Sequence, residues 1–254
     1  MSGASDCLSP SLPPVRTAPF PMAPFLRVAS ILGVTALTVG SLVTTPRPEI
    51  ALQRWSRAVL RRLGVTITLR GTLYRWPQLW VSNHVSWLDP LVLLSLRPMG
   101  ALAKGEVARY PLIGPASKRL GLAFVDRLDA TSRAAAMVRL ATELRKGKPM
   151  LLFPEGTTTL GQGLAPLQEG GLRAAYRCRT SVQTLRLSSE DRGYPWIGDD
   201  TLLPHLLRLA QAHTTSVRLD AGEVLEPWQF PCEDAWIEAI RQQLTPAPRG
   251  SRES

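Results

Sequence analysis

Asn83-His84-Val85-Ser86-Trp87-Leu88-Asp89 sets a histidine and a carboxylate five positions apart, directly after the apolar run Leu79-Trp80-Val81. A strand ending in a polar turn holds such side chains at a sheet edge, where a substrate can reach them. An imidazole titrates near neutrality, so it can take a proton from a hydroxyl. A carboxylate behind it fixes the tautomer and stabilises the imidazolium. The same residues also read as a helix start, with Asp89 as N-cap and Pro90 as first helical residue ahead of Leu-Val-Leu-Leu. Both readings can hold together, because a capping residue is rigidly placed.

The chain has three histidines, and the other two offer less. His205 follows Pro204 in Leu-Leu-Pro-His-Leu-Leu, on an expected amphipathic helix, and His213 sits in a polar turn. Neither has a carboxylate at informative spacing, so both are expected to be structural or surface residues. No G-x-S-x-G, H-E-x-x-H, P-loop or G-x-G-x-x-G pattern occurs, which argues against the common hydrolase, protease and nucleotide enzymes. Cys7, Cys178 and Cys232 are far apart and odd in number, without a C-x-x-C, so neither a disulfide framework nor a zinc site is indicated.

Two further places could hold an anion. Lys104 and Arg127 stand near predicted strand ends; a lysine meets phosphate as a point charge and an arginine as a bidentate fork. The alternative for either is a solvated surface cation. Phe153-Pro154-Glu155-Gly156 follows an apolar run and is shaped like a sharp turn. Gly156 permits backbone angles closed to other residues, so successive N–H groups can converge on an anion, and Thr157, Thr158 and Thr159 add hydroxyls. Pro-x-Gly is also a common turn with no further meaning.

Taken in order, His84-x4-Asp89, Lys104-Gly-Glu106, Gly121-Leu-Ala-Phe-Val-Asp126-Arg127 and Phe153-Pro-Glu155-Gly156-Thr-Thr-Thr159 resemble the glycerolipid acyltransferases, most closely the 1-acylglycerol-3-phosphate (lysophosphatidic acid) acyltransferase family. The resemblance covers roughly residues 50–230. It implies that His84 deprotonates the free hydroxyl of a lysolipid while Asp89 orients the ring, and that the oxygen attacks an acyl thioester directly. General-base action of this kind contributes roughly 10²–10⁴-fold. It implies substrate-binding roles for Lys104, Arg127, Glu155, Gly156, Thr157 and Thr158, no cofactor and no metal. The acyl donor is expected to be acyl-CoA or acyl carrier protein. The family usually has Arg where this chain has Thr158, a departure that bears on the acceptor and not on the reaction. Its Val-Pro-rich strand appears only weakly, as Ser181-Val-Gln-Thr-Leu185.

The elements that must position these groups can be read along the chain. Residues 1–24 carry six prolines between Pro10 and Pro24 and are expected to be disordered; Met22 opens a stretch that reads as a natural N-terminus. Val28–Val43 is uncharged for sixteen residues, about 24 Å of helix against a hydrocarbon core of about 30 Å, so spanning needs Phe25, Leu26 and a snorkelling Arg27. Over Glu49–Leu63, Arg54, Arg57, Arg61 and Arg62 oppose Ile50, Trp55, Val59 and Leu63, the pattern of a helix lying in a membrane interface or packed on a domain.

Beyond Gly64, strands are expected at Val65–Leu69, Leu79–Val81, Leu122–Val125, Met150–Phe153, Thr180–Leu187 and Thr215–Asp220. Helices are expected at Asp129–Lys146, stopped by Gly147, and at Trp236–Leu244. This alternation reads as an α/β fold with one mixed sheet flanked by helices. The expected organisation is a Pro-rich segment at 1–24, a membrane anchor with a basic amphipathic helix at 25–63, the acyltransferase domain at 64–245 and a loose tail at 246–254.

The net charge of +10 is uneven: residues 1–75 hold nine Arg against Asp6 and Glu49, while residues 76–254 hold twenty-one basic and eighteen acidic groups. The excess surrounds the apolar segment, which favours an anionic membrane surface over nucleic acid. The expectation is a membrane-associated enzyme facing the cytoplasm that acylates lysophosphatidic acid, with lyso-ornithine lipid or another lysophospholipid as the alternative acceptor. A thioesterase and a non-catalytic basic module binding membrane or nucleic acid are the readings from other classes.

Overall fold

Leu79, Trp80 and Val81 are all fully buried, and consecutive side chains of a strand point to opposite faces, so this strand must be covered on both sides. The computed structural model describes residues 23–42, 44–104, 123–125, 129–198 and 200–246 and places this strand at the centre of a seven-stranded sheet. The strands are β1 (Val65–Arg70), β2 (Leu79–Ser82), β3 (Gly100–Lys104), β4 (Ala123–Val125), β5 (Met150–Leu152), β6 (Val182–Ser188) and β7 (Thr215–Leu225), in the order β1-β7-β6-β2-β5-β3-β4. Every neighbouring pair is parallel except β6–β7, so the sheet is mixed, as expected.

The alternation of side chains divides the core in two. Leu79, Val81, Met150 and Leu152 enter one cluster with Leu140, Leu144, Leu172, Trp236 and Ile240. These come from α4 (Ala130–Arg145), α5 (Gly170–Arg177) and α7 (Glu233–Leu244). Trp80 and Leu151 face the other way, toward Val59, Leu60, Leu88, Leu93 and Leu206. That side is covered by α2 (Pro48–Leu63), α3 (Asp89–Leu96) and α6 (Leu202–Gln211), with α1 (Pro24–Leu42) packed on α2 and α6. Gly64 (φ 68°) ends α2 in the left-handed conformation, and Gly147 (φ 73°) follows α4 in the same way. The last strand runs five residues past its expected end, and α7 starts three residues early; Leu122 lies outside the described residues.

At the N-terminal end α2 follows the second of its two readings, packed on the domain, and one expectation for α1 changes. Leu52, Val59, Leu60 and Leu63 of α2 are buried in the core, and the Trp55 indole donates to Thr35 Oγ1 at 3.0 Å. The apolar stripe is therefore covered by protein, and Arg54, Arg57 and Arg61 form the outward face. Arg57 Nε also donates to the Ser95 carbonyl at the end of α3, at 2.7 Å. Arg27 does not snorkel. Arg27 is buried, and its guanidinium turns inward to donate to the carbonyls of Ala210 (3.3 Å) and Ala212 (2.9 Å) at the C-terminal end of α6. Those carbonyls lack helical partners and sit at the negative end of the helix dipole, which suits a cation. The outer face of α1 leaves Phe25, Leu26, Leu32 and Leu37 exposed, and by length and composition the helix could cross a membrane.

Candidate active site

Since β2 and β5 are parallel neighbours, with Val81 opposite Leu152, the turns that follow them emerge side by side. The first carries His84 and the second Glu155. Lys104 closes β3, which pairs in parallel with β5, so its backbone stands at the same sheet edge. Arg127 and Glu106 lie outside the described residues.

The turn after β2 is pinned on both flanks. Asn83, buried, donates from Nδ2 to the Leu187 carbonyl (2.9 Å) and accepts the Leu187 N–H at Oδ1 (2.7 Å), which fastens the strand end to β6. Asp89 is fully buried and lies within the first turn of α3, whose N-cap is Leu88, so it does not cap that helix. Its carboxylate bends back instead. Oδ2 accepts the N–H groups of Val85 (2.5 Å) and Ser86 (2.8 Å) and lies 2.9 Å from His84 Nδ1. The Ser86 hydroxyl is buried and accepts the Leu88 N–H at 3.3 Å, a structural role.

With Nδ1–H committed to Asp89, the lone pair of His84 is at Nε2, which has no hydrogen-bond partner among the described residues. The side chain keeps 18% of its surface open. An imidazole held this way can receive a proton at Nε2 while Asp89 stabilises the charge that results.

The Phe153–Thr159 turn wraps the histidine. Phe153 stacks on the imidazole with centroids 4.3 Å apart. The His84 N–H donates to Glu155 Oε1 (2.7 Å), and the Ala165 N–H donates to Oε2 (2.9 Å). The Thr159 N–H (2.9 Å) and hydroxyl (3.3 Å) both donate to the His84 carbonyl. Gly156, at φ 70°, closes the turn by donating to the Phe153 carbonyl. Burial raises the pKa of Glu155, and the two backbone donors offset part of that effect. The resemblance puts Glu155 at the acceptor, yet both of its oxygens already serve backbone donors, so it holds the two turns together. Thr157 is exposed and Thr158 half-buried, and neither side chain bonds to a described residue.

Sequence reasoning missed the third side of this site. Tyr194 is fully buried and its hydroxyl donates to Asp89 Oδ1 at 2.5 Å. Burial, then the adjacent Asp89, holds its pKa well above that of a free phenol, so the group stays a neutral donor. Two residues on, the Trp196 N–H donates to the Val85 carbonyl at 2.9 Å. His205, expected to be structural or surface, is fully buried, and its Nδ1 accepts the Trp87 indole N–H at 2.8 Å. An indole only donates, so the His205 proton is on Nε2, directed at the Pro195 carbonyl at 3.2 Å. Burial lowers the His205 pKa, which keeps the ring neutral. Local patterns carry no trace of these contacts, since Tyr194 and His205 lie more than a hundred residues from the turn they brace. His213 is exposed, and neither Cys178 nor Cys232 belongs to this cluster.

Residues 64–188 match the protein family described as Acyltransferase. The chain is 34% identical over 219 residues to a lyso-ornithine lipid O-acyltransferase of Pseudomonas aeruginosa, covering 80% of this chain and 83% of that protein. It is 26% identical over 171 residues to a 1-acyl-sn-glycerol-3-phosphate acyltransferase of Neisseria meningitidis, covering 65% and 67% of the two chains. The fold matches the crystal structure of the 1-acyl-sn-glycerophosphate acyltransferase PlsC from Thermotoga maritima, with a TM-score of 0.65 over 87% of this chain and 91% of that one, at 16% identity. The chain belongs to the acyltransferase family and is an enzyme of the glycerolipid acyltransferase type.

Proposed function

We propose that this enzyme acylates the free hydroxyl of a lyso-ornithine lipid, with His84 as general base and Asp89 as the residue that orients it. The observation that carries the chemistry is the His84 Nδ1–Asp89 Oδ2 contact at 2.9 Å, which leaves Nε2 available to a hydroxyl at an open sheet edge. His84 Nε2 takes the hydroxyl proton as the oxygen attacks the carbonyl of an acyl thioester, from acyl-CoA or acyl carrier protein. The C–S bond then breaks, and the imidazolium returns the proton to the leaving thiolate.

Of the two acceptors the resemblance allows, Thr158 favours lyso-ornithine lipid. Lysophosphatidic acid presents a phosphate dianion, which a guanidinium at this position would match. An ornithine head group carries one carboxylate and one ammonium, for which a hydroxyl donor suffices at the anionic end. The Pseudomonas relative, at 34% identity, is named for the same acceptor. By the resemblance, Lys104 and Arg127 would meet the head-group anion. The outer face of α1, with Phe25, Leu32 and Leu37, and the Arg54/Arg57/Arg61 face of α2 support attachment to an anionic membrane, with the catalytic domain on its cytoplasmic side.

The test is thiol release from labelled acyl-CoA and acyl carrier protein by the purified full chain, offered lyso-ornithine lipid, lysophosphatidic acid or no acceptor. Release is expected to require an acceptor, to be fastest with lyso-ornithine lipid and to vanish in His84→Ala. Equal release without acceptor would make the protein a thioesterase, and faster turnover of lysophosphatidic acid would reassign the acceptor.

A further inference from the structure

We infer that Tyr194 is a positioning residue for the reaction, acting through Asp89 to set how strongly the His84–Asp89 pair holds a proton. The inference rests on His84 being the base. It starts from an inventory of the Asp89 carboxylate, which is fully buried and therefore depends on protein donors for both oxygens. Oδ2 has three: His84 Nδ1–H and the N–H groups of Val85 and Ser86. Oδ1 has one among the described residues, the Tyr194 hydroxyl.

The two sides of the carboxylate are built differently. The Oδ2 donors belong to the same turn as Asp89, so they come with the local fold. The Oδ1 donor arrives from 105 residues away and is held there by tertiary structure. Its ring is part of the same buried cluster as Val85, Leu88 and Leu206, and its N–H donates to the Asp191 carbonyl at 3.0 Å. The Trp196 N–H on the Val85 carbonyl and the Trp87 indole on His205 fasten the same segment to the same turn. The ring packing and these two hydrogen bonds therefore fix where the hydroxyl sits relative to Asp89.

The chemical consequence has a definite sign. A donor on Oδ1 withdraws electron density from the carboxylate and lowers its affinity for the proton shared with the imidazole. Removing it leaves a buried oxygen without a partner and makes the pair more basic. The proton then stays with the pair, on Nε2 or shared toward Asp89, at pH values where the wild-type pair is free. A protonated pair cannot accept the substrate proton, whichever atom carries it. Tyr194 thus weakens the pair's hold on a proton and keeps the Asp89 carboxylate oriented toward His84.

Tyr194→Phe removes one oxygen and keeps the ring. Its kcat should fall by about tenfold with KM for the lysolipid unchanged, and the acidic limb of its kcat/KM profile should move up by about one pH unit. The second arm uses wild-type protein made with 3-fluorotyrosine, a more acidic phenol and a stronger donor, which should move that limb to lower pH. This arm stands alone if Tyr194→Phe does not fold. Limbs that coincide with wild type in every protein that folds would show Tyr194 to be packing only and overturn the inference. His84→Ala separates the two readings. If it retains turnover, the base assignment fails; if it is inactive while the limbs do not move, only the role of Tyr194 fails.

Discussion

The backbone N–H of His84 donates to Glu155 Oε1 at 2.7 Å, joining two turns that lie 71 residues apart in the chain. The other oxygen of Glu155 accepts from Ala165, so this one carboxylate serves two backbone donors and is 95% buried. Glu155→Gln retains the shape but turns an NH₂ group toward one of those N–H donors. We expect a loss of about 1–3 kcal/mol in stability, because a buried donor is left unpaired. Turnover should fall with it, since the His84 turn is released. Urea unfolding and steady-state kinetics on the same preparation check both; an unchanged midpoint with normal turnover would refute the role.

Asp89→Asn replaces an acceptor of three Oδ2 contacts by a group that accepts at only one of its two ends. A drop in kcat on the order of 10³–10⁴ is expected, the scale seen when the orienting carboxylate of a histidine base is neutralised. Single-turnover rates with lysolipid present read the chemical step directly.

Thr158→Arg tests the acceptor. It should lower KM for lysophosphatidic acid about five- to tenfold, equivalent to roughly 1 kcal/mol gained by charging the donor. A smaller gain is expected for lyso-ornithine lipid, whose single carboxylate carries less charge and whose ammonium the guanidinium repels. Identical kinetics with both acceptors before and after the change would mean that position 158 does not face the head group.

His205 gives stability a pH dependence of known sign. Burial lowers its pKa in the folded protein below the ordinary imidazole value of 6.5, so the unfolded chain binds the proton more readily. The contribution is therefore complete above that value and is lost as pH falls toward the folded pKa. His205→Gln can still accept from Trp87 and donate to Pro195 without titrating. The wild-type Tm should fall more steeply than that of the variant as pH drops below 6.5, and parallel slopes would exclude His205 as the source.

Arg27→Met removes the clamp between α1 and the end of α6. A destabilisation of about 1–2 kcal/mol is expected from unpairing the carbonyls of Ala210 and Ala212 and removing the cation at the helix terminus. Turnover in detergent should be unaffected, because neither helix end lies at the His84 turn. Chemical denaturation of the purified protein supplies the measurement.

What could be read from the sequence was what is local in it. His84 and Asp89 share one turn, and Glu155 and Gly156 share another. The apolar runs ahead of both turns mark strands, and buried strands of this kind pair in parallel. Tyr194, Trp87 with His205, and Arg27 with α6 were hidden because each joins segments more than a hundred residues apart, and nothing in the local pattern records the partner. The stripe of α2 was legible as a stripe; what covers it was not, since lipid and a protein core select the same side chains. Asp89 looked like a helix cap because Asp-Pro usually is one. Here the carboxylate has stronger local donors in Val85 and Ser86.

The two turns at the sheet edge also differ in how freely they can change. Among the described residues, every polar atom that steadies His84 comes from Asp89, Glu155 or Thr159, and the side chains of Thr157 and Thr158 take no part. Those two positions thus have no bond to the base, although they directly precede Thr159, which does. On the head-group role proposed for Thr158, a lineage could exchange the residues there, and with them the acceptor, without disturbing the proton transfer. Substrate range and reaction type would then diverge at different rates within one fold.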